Sequence, residues 1–473
     1  NDATGGTEPE PSARPEIPDH EKPAILREAN LMQLLADTIT FKSSLSDINI
    51  VLRCGAKVNT PVKRGLRPLH YAVYVDYVEC VKLLIERGAD VNATDDIGYT
   101  PIHLCARKGN IESMKILIEH GATVDFFTHE EDVDENSRAL GYLTIEPLNL
   151  AIENNHVDCL RLLLDSGARP DHKYFMGYEI NLVPLEHLEC GISPLMKACR
   201  QQNLPAARKL LAYGAKVDIQ GPTRFEQKTA LHYAIASGNG AILHVLLRHG
   251  ASPRRPPEYK YAAMHAAVLS DRPDFCEMLL KWGAQIDENS DEGATPLMLA
   301  AATRELSRQQ ELVQVLLEKG ANPNASAPFV TYTSPYLSPL SEYLRNMDTG
   351  ARYDVVNLLL KYGAKVHFRV STTSTRLMDP HGVLSYLSGV KDKDDVMDLL
   401  CTAATHFDSA AIATCRGLTS VQKGLLLSLA SAPRDLKHLV RMAIRDWLSS
   451  QRLPEAVDAL PLPAIMKNYL LMQ

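Results

Sequence analysis

The stretch TPIHLCARKGNIESMKILIEHGATV, residues 100–124, contains the unit from which most of this chain is built. Thr100 can cap a first helix, and Pro101 at its first position has no N–H group to leave unsatisfied. A second apolar helix pattern runs from Ile111 to His120. Gly121 suits the left-handed position that ends such a helix. The stretch therefore predicts two short antiparallel helices.

The same two signals recur along the chain. A Gly-Ala pair closes an apolar helix pattern nine times, at Gly55, Gly88, Gly121, Gly167, Gly214, Gly250, Gly283, Gly320 and Gly363. The steps between these glycines are 33, 33, 46, 47, 36, 33, 37 and 43 residues. Complete or degenerate copies of the opening motif begin at Arg67, Thr100, Glu146, Ser193, Thr229, Ala262, Thr295 and Ser338. A base period of 33 residues with insertions predicts stacked helix pairs.

These copies resemble the Thr-Pro-Leu-His signature of ankyrin repeats over about residues 45–407. The resemblance implies an all-α solenoid of nine or ten repeats, with hairpin fingers such as Ala89–Asn92 between the helix pairs. The first unit, Leu31–Asn59, lacks the opening motif and is expected to be an N-terminal cap. Val383–Phe407 keeps a helix-pair pattern without its Gly-Ala pair, which predicts a degenerate closing repeat.

Four insertions interrupt the period and are the candidate target-binding elements. They are an acidic segment at Phe126–Tyr142, an aromatic segment at His172–Glu189, a basic finger at Arg254–Pro257 and a second aromatic segment at Phe329–Pro339. Insertions in solenoids project from one face, and exposed aromatic and arginine side chains anchor interfaces. The predicted substrate-binding residues are Tyr174, Phe175, Tyr178, Arg254 and Arg255. Loops that are simply solvated, or folded onto their own repeat, are the alternatives.

The last forty residues carry a different pattern. Apolar residues recur at three- and four-residue steps in a first helix, at Leu436, Leu439, Val440, Ala443, Ile444, Trp447 and Leu448. Lys437, Arg441 and Arg445 fall on the other side. Pro454 opens a second short helix, the string Leu460-Pro461-Leu462-Pro463 forces an extended turn, and Ala464–Leu471 forms a third helix. About forty residues cannot fold alone, so this tail must dock on something.

This tail resembles the SOCS box, and the whole chain beyond its first thirty residues resembles the ankyrin-repeat and SOCS-box family. The resemblance implies that Leu436, Leu439, Val440 and Ile444 bind elongin C, with Val440 in place of the usual cysteine. It also implies that Leu460, Pro461, Leu462 and Pro463 bind cullin-5. The expected partners are thus elongin C, elongin B, cullin-5, its RING-box protein and a protein target that the sequence does not name.

The bulk composition limits other functions. The net charge of −7 gives no overall attraction to nucleic acid or to an anionic membrane. No apolar run approaches the ~20 residues of a membrane-spanning helix. The nine cysteines are scattered singly, which favours reduced thiols inside the cell. We therefore expect a cytoplasmic protein, with the nucleus as a second location, that binds neither nucleic acid nor membrane.

The sequence offers no catalytic constellation. His70, His103, His232 and His265 recur on separate repeat openings, where an imidazole bonds to neighbouring backbone. The string His129–Asp132 has no second histidine one helical turn on, and there is no phosphate-binding loop and no nucleophile elbow. We expect no catalytic residue, no metal site and no cofactor, and hence a non-catalytic receptor subunit.

The predicted organisation has six parts: a disordered segment 1–24, a capping repeat 25–64, ankyrin repeats 65–376 with insertions near 126–142, 172–189 and 326–339, a degenerate repeat 377–415, a linker helix 416–432 and a SOCS box 433–473. The predicted function is substrate recognition for an elongin B/C–cullin-5–RING ubiquitin ligase. Two rival hypotheses are a plain ankyrin scaffold capped by the tail helices and a receptor that inhibits its partner by steric occlusion.

Overall fold

The computed structural model describes residues 22–126, 146–171, 192–220, 227–256, 259–327, 336–346, 351–370, 379–390, 394–431, 435–448 and 453–471. The chain divides into two compact units, unit 1 at Asn1–Cys190 and unit 2 at Gly191–Gln473. The predicted disordered segment 1–24 and the acidic segment fall almost wholly outside the described residues. So do the aromatic segment at 172–189 and much of the insertion near 326–339.

Unit 1 consists of antiparallel helix pairs. Within the described residues its helices are α1 (Lys22–Thr40), α2 (Leu45–Arg53), α3 (Pro68–Tyr74), α4 (Val78–Glu86), α5 (Pro101–Lys108), α6 (Ile111–Glu119), α7 (Pro147–Glu153) and α8 (Val157–Asp165). The first helix of each pair packs on the first helix of the next, as α3 does on α5 and α5 on α7. Leu69, Ile102 and Leu148 are fully buried along this row, which forms the core of the unit.

The opening motif acts as a local capping device. The backbone N–H of Thr100 donates to Nδ1 of His103 over 3.1 Å, and this bond closes the first turn of α5. The opposite ring nitrogen of such a histidine reaches the following unit: Nε2 of His70 lies 3.1 Å from the carbonyl oxygen of Tyr99. These histidines therefore bond to neighbouring backbone, as their positions predict.

The fingers between the pairs are joined by asparagine side chains. Asn59 donates from Nδ2 to the carbonyl of Gly88 over 2.9 Å and accepts from the N–H of Asp90 over 2.8 Å. Asn92 makes the same two bonds to Gly121 and Thr123. Gly121 has φ +85°, in the left-handed region that a side chain would strain. Turn geometry thus sets the spacing between successive pairs.

Unit 2 continues with the same pairs and then departs from them. Its repeat helices are α9 (Pro194–Arg200), α10 (Leu204–Ala212), α11 (Ala230–Ala236), α12 (Gly240–Arg248), α13 (Ala263–Leu269), α14 (Pro273–Lys281), α15 (Pro296–Ala302), α16 (Gln309–Glu318), α17 (Pro339–Asn346) and α18 (Tyr353–Lys361). The remaining elements are β1 (Val366–Phe368), a 3-10 helix (Leu384–Val390), α19 (Asp394–Ala403), β2 (Ala404–Phe407), α20 (Ser409–Thr414), α21 (Ser420–Ser431), α22 (Leu436–Trp447), α23 (Leu453–Asp458) and α24 (Ala464–Leu470).

The closing repeat differs from the expected helix pair. Its first helix is a 3-10 helix, and α19 runs directly into β2, which pairs in parallel with β1. Gly389 and the serines of LSYLSGV disfavour a full α-helix. The strand pairing gives backbone groups of Val366–Phe368 partners in β2. The fold is still almost entirely helical. Within the described residues, no helix is both long and apolar enough to cross a membrane.

Candidate protein-binding sites

The tail folds into three helices around a small apolar cluster. Leu453, Val457, Leu470 and Leu471 are buried together, and four partly buried residues pack against them: Ile444, Leu448, Leu460 and Leu462. Asp435 caps α22 by accepting from the N–H of His438 over 2.7 Å. The cluster is too small to form an independent core. The three tail helices therefore need further contacts with residues outside the tail.

Helix α22 exposes its apolar side and buries its basic side. Leu436 is 76% exposed and Trp447 is 80% exposed, with Leu439 and Val440 exposed between them. Arg441 and Arg445 are each only 5% exposed. A surface helix of a globular protein ordinarily shows the opposite arrangement. We call the face formed by Leu436, Leu439, Val440 and Trp447 the apolar face of α22.

Polar bonds explain why the basic side is buried. Arg441 donates from Nη2 to the carbonyl of Thr402 over 2.7 Å, and its guanidinium lies 4.5 Å from the centre of the Tyr469 ring. Arg445 donates from Nη1 to the carbonyl of Leu470 over 2.5 Å and from Nη2 to the carbonyl of Leu360. Burial, with a smaller contribution from the Arg441 charge, lowers the pKa of Arg445 to about 10, so it stays charged at neutral pH.

The structure separates the four predicted elongin-binding residues. Leu436, Leu439 and Val440 share the apolar face, whereas Ile444 is half-buried and packs against the tail's own cluster. Trp447 was not among the predicted site residues, although it continues the same stripe seven residues after Val440. Helical spacing alone could have added it to this face.

The predicted cullin-binding string is divided in a similar way. Pro461 and Pro463 are exposed, while Leu460 and Leu462 are half-buried against the cluster. The N–H of Leu462 donates to the carbonyl of Leu460 over 2.8 Å and closes a tight turn. Ile465 and Met466 follow in α24 and are exposed. The sequence pattern did not connect the two prolines with Ile465 and Met466. Two adjacent apolar residues are too few to show a helical periodicity.

The structure describes residues 254–256 of the basic finger of unit 2. Arg254 is exposed, but Arg255 is half-buried and engaged in its own loop. Its Nη1 donates to the carbonyl of Tyr259 over 3.1 Å, and its backbone N–H donates to Oε1 of Glu288 over 2.8 Å. Asp291 lies 3.6 Å away as an ion-pair partner. The finger therefore presents Arg254 outward and uses Arg255 to hold its shape.

The remaining predicted substrate residues, Tyr174, Phe175 and Tyr178, lie outside the described residues. The described ranges contain no group of three or more His, Cys, Asp or Glu side chains arranged to hold a metal ion.

Comparison with known proteins agrees with this organisation. Residues 41–128, 98–174, 172–256 and 254–327 match the family model for ankyrin repeats, and residues 432–471 match the model for the SOCS box. The fold and tail therefore define an ankyrin-repeat protein that carries a SOCS box, as the sequence predicts. The chain belongs to the ankyrin repeat and SOCS box family.

Individual relatives cover different shares of the chain. Ankyrin repeat and SOCS box protein 16 of Mus musculus is 31% identical over 368 residues, and the match covers 69% of this chain and 74% of that protein. Ankyrin repeat and SOCS box protein 6 of Homo sapiens is 25% identical, with 69% and 88% covered. An ankyrin repeat protein of fowlpox virus is 32% identical, but the match spans only 33% of this chain and 30% of that protein.

Among solved structures, the human ASB11 ankyrin repeat domain is 24% identical with a TM-score of 0.38, and the match covers 60% of this chain and 96% of that chain. Family membership supports a general role as a substrate receptor for cullin-RING ubiquitin ligases, a class whose members are typically non-catalytic.

Proposed function

We propose that this protein is the substrate-recognition subunit of an elongin B/C–cullin-5–RING ubiquitin ligase. Its tail docks elongin C and cullin-5, and its repeats hold a protein target. The observation that carries the proposal is the exposed apolar face of α22. Burying one Leu or Val side chain is worth roughly 1.5–3 kcal/mol. A partner that covers this apolar stripe therefore gains a favourable free energy of binding.

The same observation weighs against a plain scaffold with a helical cap. A cap would turn Leu436, Leu439 and Val440 inward against the last repeats. Instead the basic side of α22 faces them, through Arg441 and Arg445. Because α22 exposes apolar residues and buries charged ones, its exposed side is suited to binding a partner protein.

The elongin contact and the cullin contact belong to different parts of the tail. We propose that elongin C covers Leu436, Leu439, Val440 and Trp447. We propose that cullin-5 contacts Pro461 and Pro463, with Ile465 and Met466 extending that surface. The prolines pre-set an extended segment, so little entropy is lost when it binds. Leu460 and Leu462 then support this segment from below rather than contact the partner.

Target binding is assigned to the repeats. Arg254 projects from a finger that is stiffened by Arg255, Tyr259 and Glu288, which makes it a preorganised anchor. Ubiquitin transfer itself would be performed by the RING protein and its conjugating enzyme, so this chain contributes proximity alone. Its proposed location is the cytoplasm, with the nucleus as a second location.

Affinity purification from cells tests the assignment. The full chain would be expressed with a tag while proteasome activity and cullin neddylation are inhibited, and captured proteins would be quantified by mass spectrometry. Elongin B, elongin C and cullin-5 should be recovered in near-equal amounts. Recovery of the protein without elongins would contradict the proposal and favour the scaffold. Recovery of elongins with another cullin would overturn the cullin-5 part only.

A further inference from the structure

The buried side of α22 meets the C-terminal ends of three other helices. Arg445 bonds to the carbonyls of Leu470, the last residue of α24, and of Leu360, one residue before the end of α18. Arg441 bonds to the carbonyl of Thr402, one residue before the end of α19. Two arginines thus touch three helix ends that come from residues far apart in the chain.

Helix ends explain why arginine is found there. The last carbonyls of a helix have no partner within it and form the negative end of its dipole. A guanidinium offers five N–H donors in a rigid plane, so it can serve two carbonyls at once. The Leu360 carbonyl also accepts from the N–H of Gly363 over 3.0 Å, and Arg445 approaches as a second donor. Each of these bonds is charge-assisted and directional.

The two arginines connect the tail to the repeat array as well as stabilising the tail. Leu470 and Tyr469 belong to α24 in the tail, whereas Leu360 and Thr402 belong to the last repeats. Lys365 and Asp446 add an ion pair of 3.1 Å across the same boundary, but both side chains are exposed and such pairs are weak. The buried guanidiniums therefore provide the directional part of this junction.

We propose that Arg445, assisted by Arg441, is a positioning residue that fixes the apolar face of α22 at one orientation relative to the last ankyrin repeats. Apolar packing is non-directional and tolerates sliding, whereas a guanidinium shared between Leu470 and Leu360 holds two elements in register. This inference rests on the proposed function, because it sets where a bound adaptor stands relative to a target on the repeats of unit 2.

Distance measurements on the full chain test the proposal. Spin labels would be attached through genetically encoded residues at Gln314, exposed on α16, and Ala459, exposed after α23. Their distance distribution would be recorded by pulsed electron paramagnetic resonance, both for the free chain and for the chain loaded with elongin B and C. The variants are Arg445→Met, Arg445→Lys and Arg441→Met. Arg416→Met is the control, because Arg416 is exposed in the same unit.

The expected result is a single narrow distance for the unmodified chain and for Arg416→Met. Arg445→Met should at least double the width of the distribution while elongin capture is retained. The width for Arg445→Lys should lie between these two values, because a lysine ammonium lacks the planar guanidinium that can serve two carbonyls at once. Arg445→Met with full elongin capture and an unchanged distribution would overturn the proposal, because a residue that only stabilises the tail would not move this distance.

Two further outcomes are decisive. If Arg445→Met no longer captures elongin, Arg441→Met supplies the test, because its hydrogen bond to Thr402 crosses the junction and its distribution should broaden as well. An unchanged Arg441→Met distribution would then count against the proposal. If the unmodified chain itself captures no elongin, the proposed function fails. The free-chain distances would still report whether the arginines fix the orientation.

Discussion

Arg445 donates a 2.5 Å hydrogen bond to the backbone carbonyl of Leu470, which joins the first and last helices of the tail. This bond turns the basic side of α22 inward and leaves the opposite side, with Leu436, in water. The orientation of α22 therefore combines this polar contact with the packing of Ile444 and Leu448 on the tail's cluster, and it determines which residues a partner can reach.

Leu436 should be the principal elongin anchor. Replacing it by Asp would place a charge in a desolvated interface, and loss of a hot-spot residue costs ~2 kcal/mol or more, at least thirty-fold in affinity. Because Leu436 is 76% exposed, the folded chain loses no packing and its melting temperature should be nearly unchanged. Elongin B/C affinity would be measured by calorimetry, with Leu425→Asp on α21 as the control. Equal affinity of both variants would remove Leu436 from the interface.

The prolines and the leucines of the Leu-Pro-Leu-Pro string should affect partner binding differently. Replacing Pro461 and Pro463 by Ala should weaken cullin-5 binding and preserve elongin capture, because both prolines are exposed. Replacing Leu460 and Leu462 by Ala should weaken both, because these leucines pack on the tail's cluster. Pull-down of both partners by the two double variants gives the comparison. Identical behaviour of the two pairs would show that this division is wrong.

Glu146 should make unit 1 less stable as the pH rises. It is buried at a repeat opening where five of the seven other copies carry Thr or Ser, and its Oε1 has no hydrogen-bond partner within the described residues. Burial, with the nearby Asp125 charge, raises its pKa from 4.5 to about 8. Its stabilising contribution is therefore complete below pH 4.5. That contribution is lost as the pH rises towards 8, at up to about 1.4 kcal/mol per pH unit.

Thermal melting between pH 5 and 8 would check this. Glu146→Gln removes the titration and should flatten the decline in melting temperature over that range. Glu119→Gln, at an exposed position of α6, is the matched control and should keep the slope of the unmodified chain. A Glu146→Gln slope equal to that of the control would refute the assignment.

His232 and His265 should make unit 2 sensitive to acid. Burial lowers the pKa of each to about 4, well below the ordinary value of 6.5. Their contribution is present above pH 6.5 and is lost as the pH falls towards 4. His265→Gln should lower stability at pH 7 by roughly 1–3 kcal/mol, because the buried carbonyl of Ala294 loses its hydrogen bond from Nε2. It should also reduce the further loss between pH 6.5 and 4.5.

Denaturation curves at several pH values would measure both effects. His249→Gln, at an exposed position that ends α12, serves as the comparison. If His265→Gln and His249→Gln show the same acid dependence, the buried imidazole does not control it.

Substitutions of Arg254 and Arg255 should affect target capture in different ways. Arg254→Ser should reduce target capture without altering thermal stability, because its side chain is exposed. Arg255→Ser should also loosen the finger, because it breaks the bond to the Tyr259 carbonyl. Captured proteins would be compared by quantitative mass spectrometry at equal elongin occupancy. An unchanged set of targets with Arg254→Ser would move target binding away from this finger.

Most of the repeat architecture could be predicted from the sequence because its signals are local. The opening motif at Thr100 caps its own helix, and Gly121 ends the following one. The same logic located three helices in the tail. In the closing repeat a helix pair was expected at Val383–Phe407, and the structure has a 3-10 helix, α19 and then β2, which pairs with β1. That pairing joins Val366 to Ala404, a partner that no local pattern identifies.

By itself, the sequence determined the helix pairs, their 33-residue period and the amphipathic first helix of the tail, because capping and helical spacing act within a few residues. Only the tertiary structure decided which side of α22 faces water. That choice depends on carbonyls at Leu360, Thr402 and Leu470, which folding brings to Arg441 and Arg445. Other contacts pack Ile444 against the tail's own cluster, and Arg255 bonds to Tyr259 and Asp291 within unit 2. Side-chain orientation is set by whichever donors and acceptors folding brings together, and a one-dimensional pattern does not contain them.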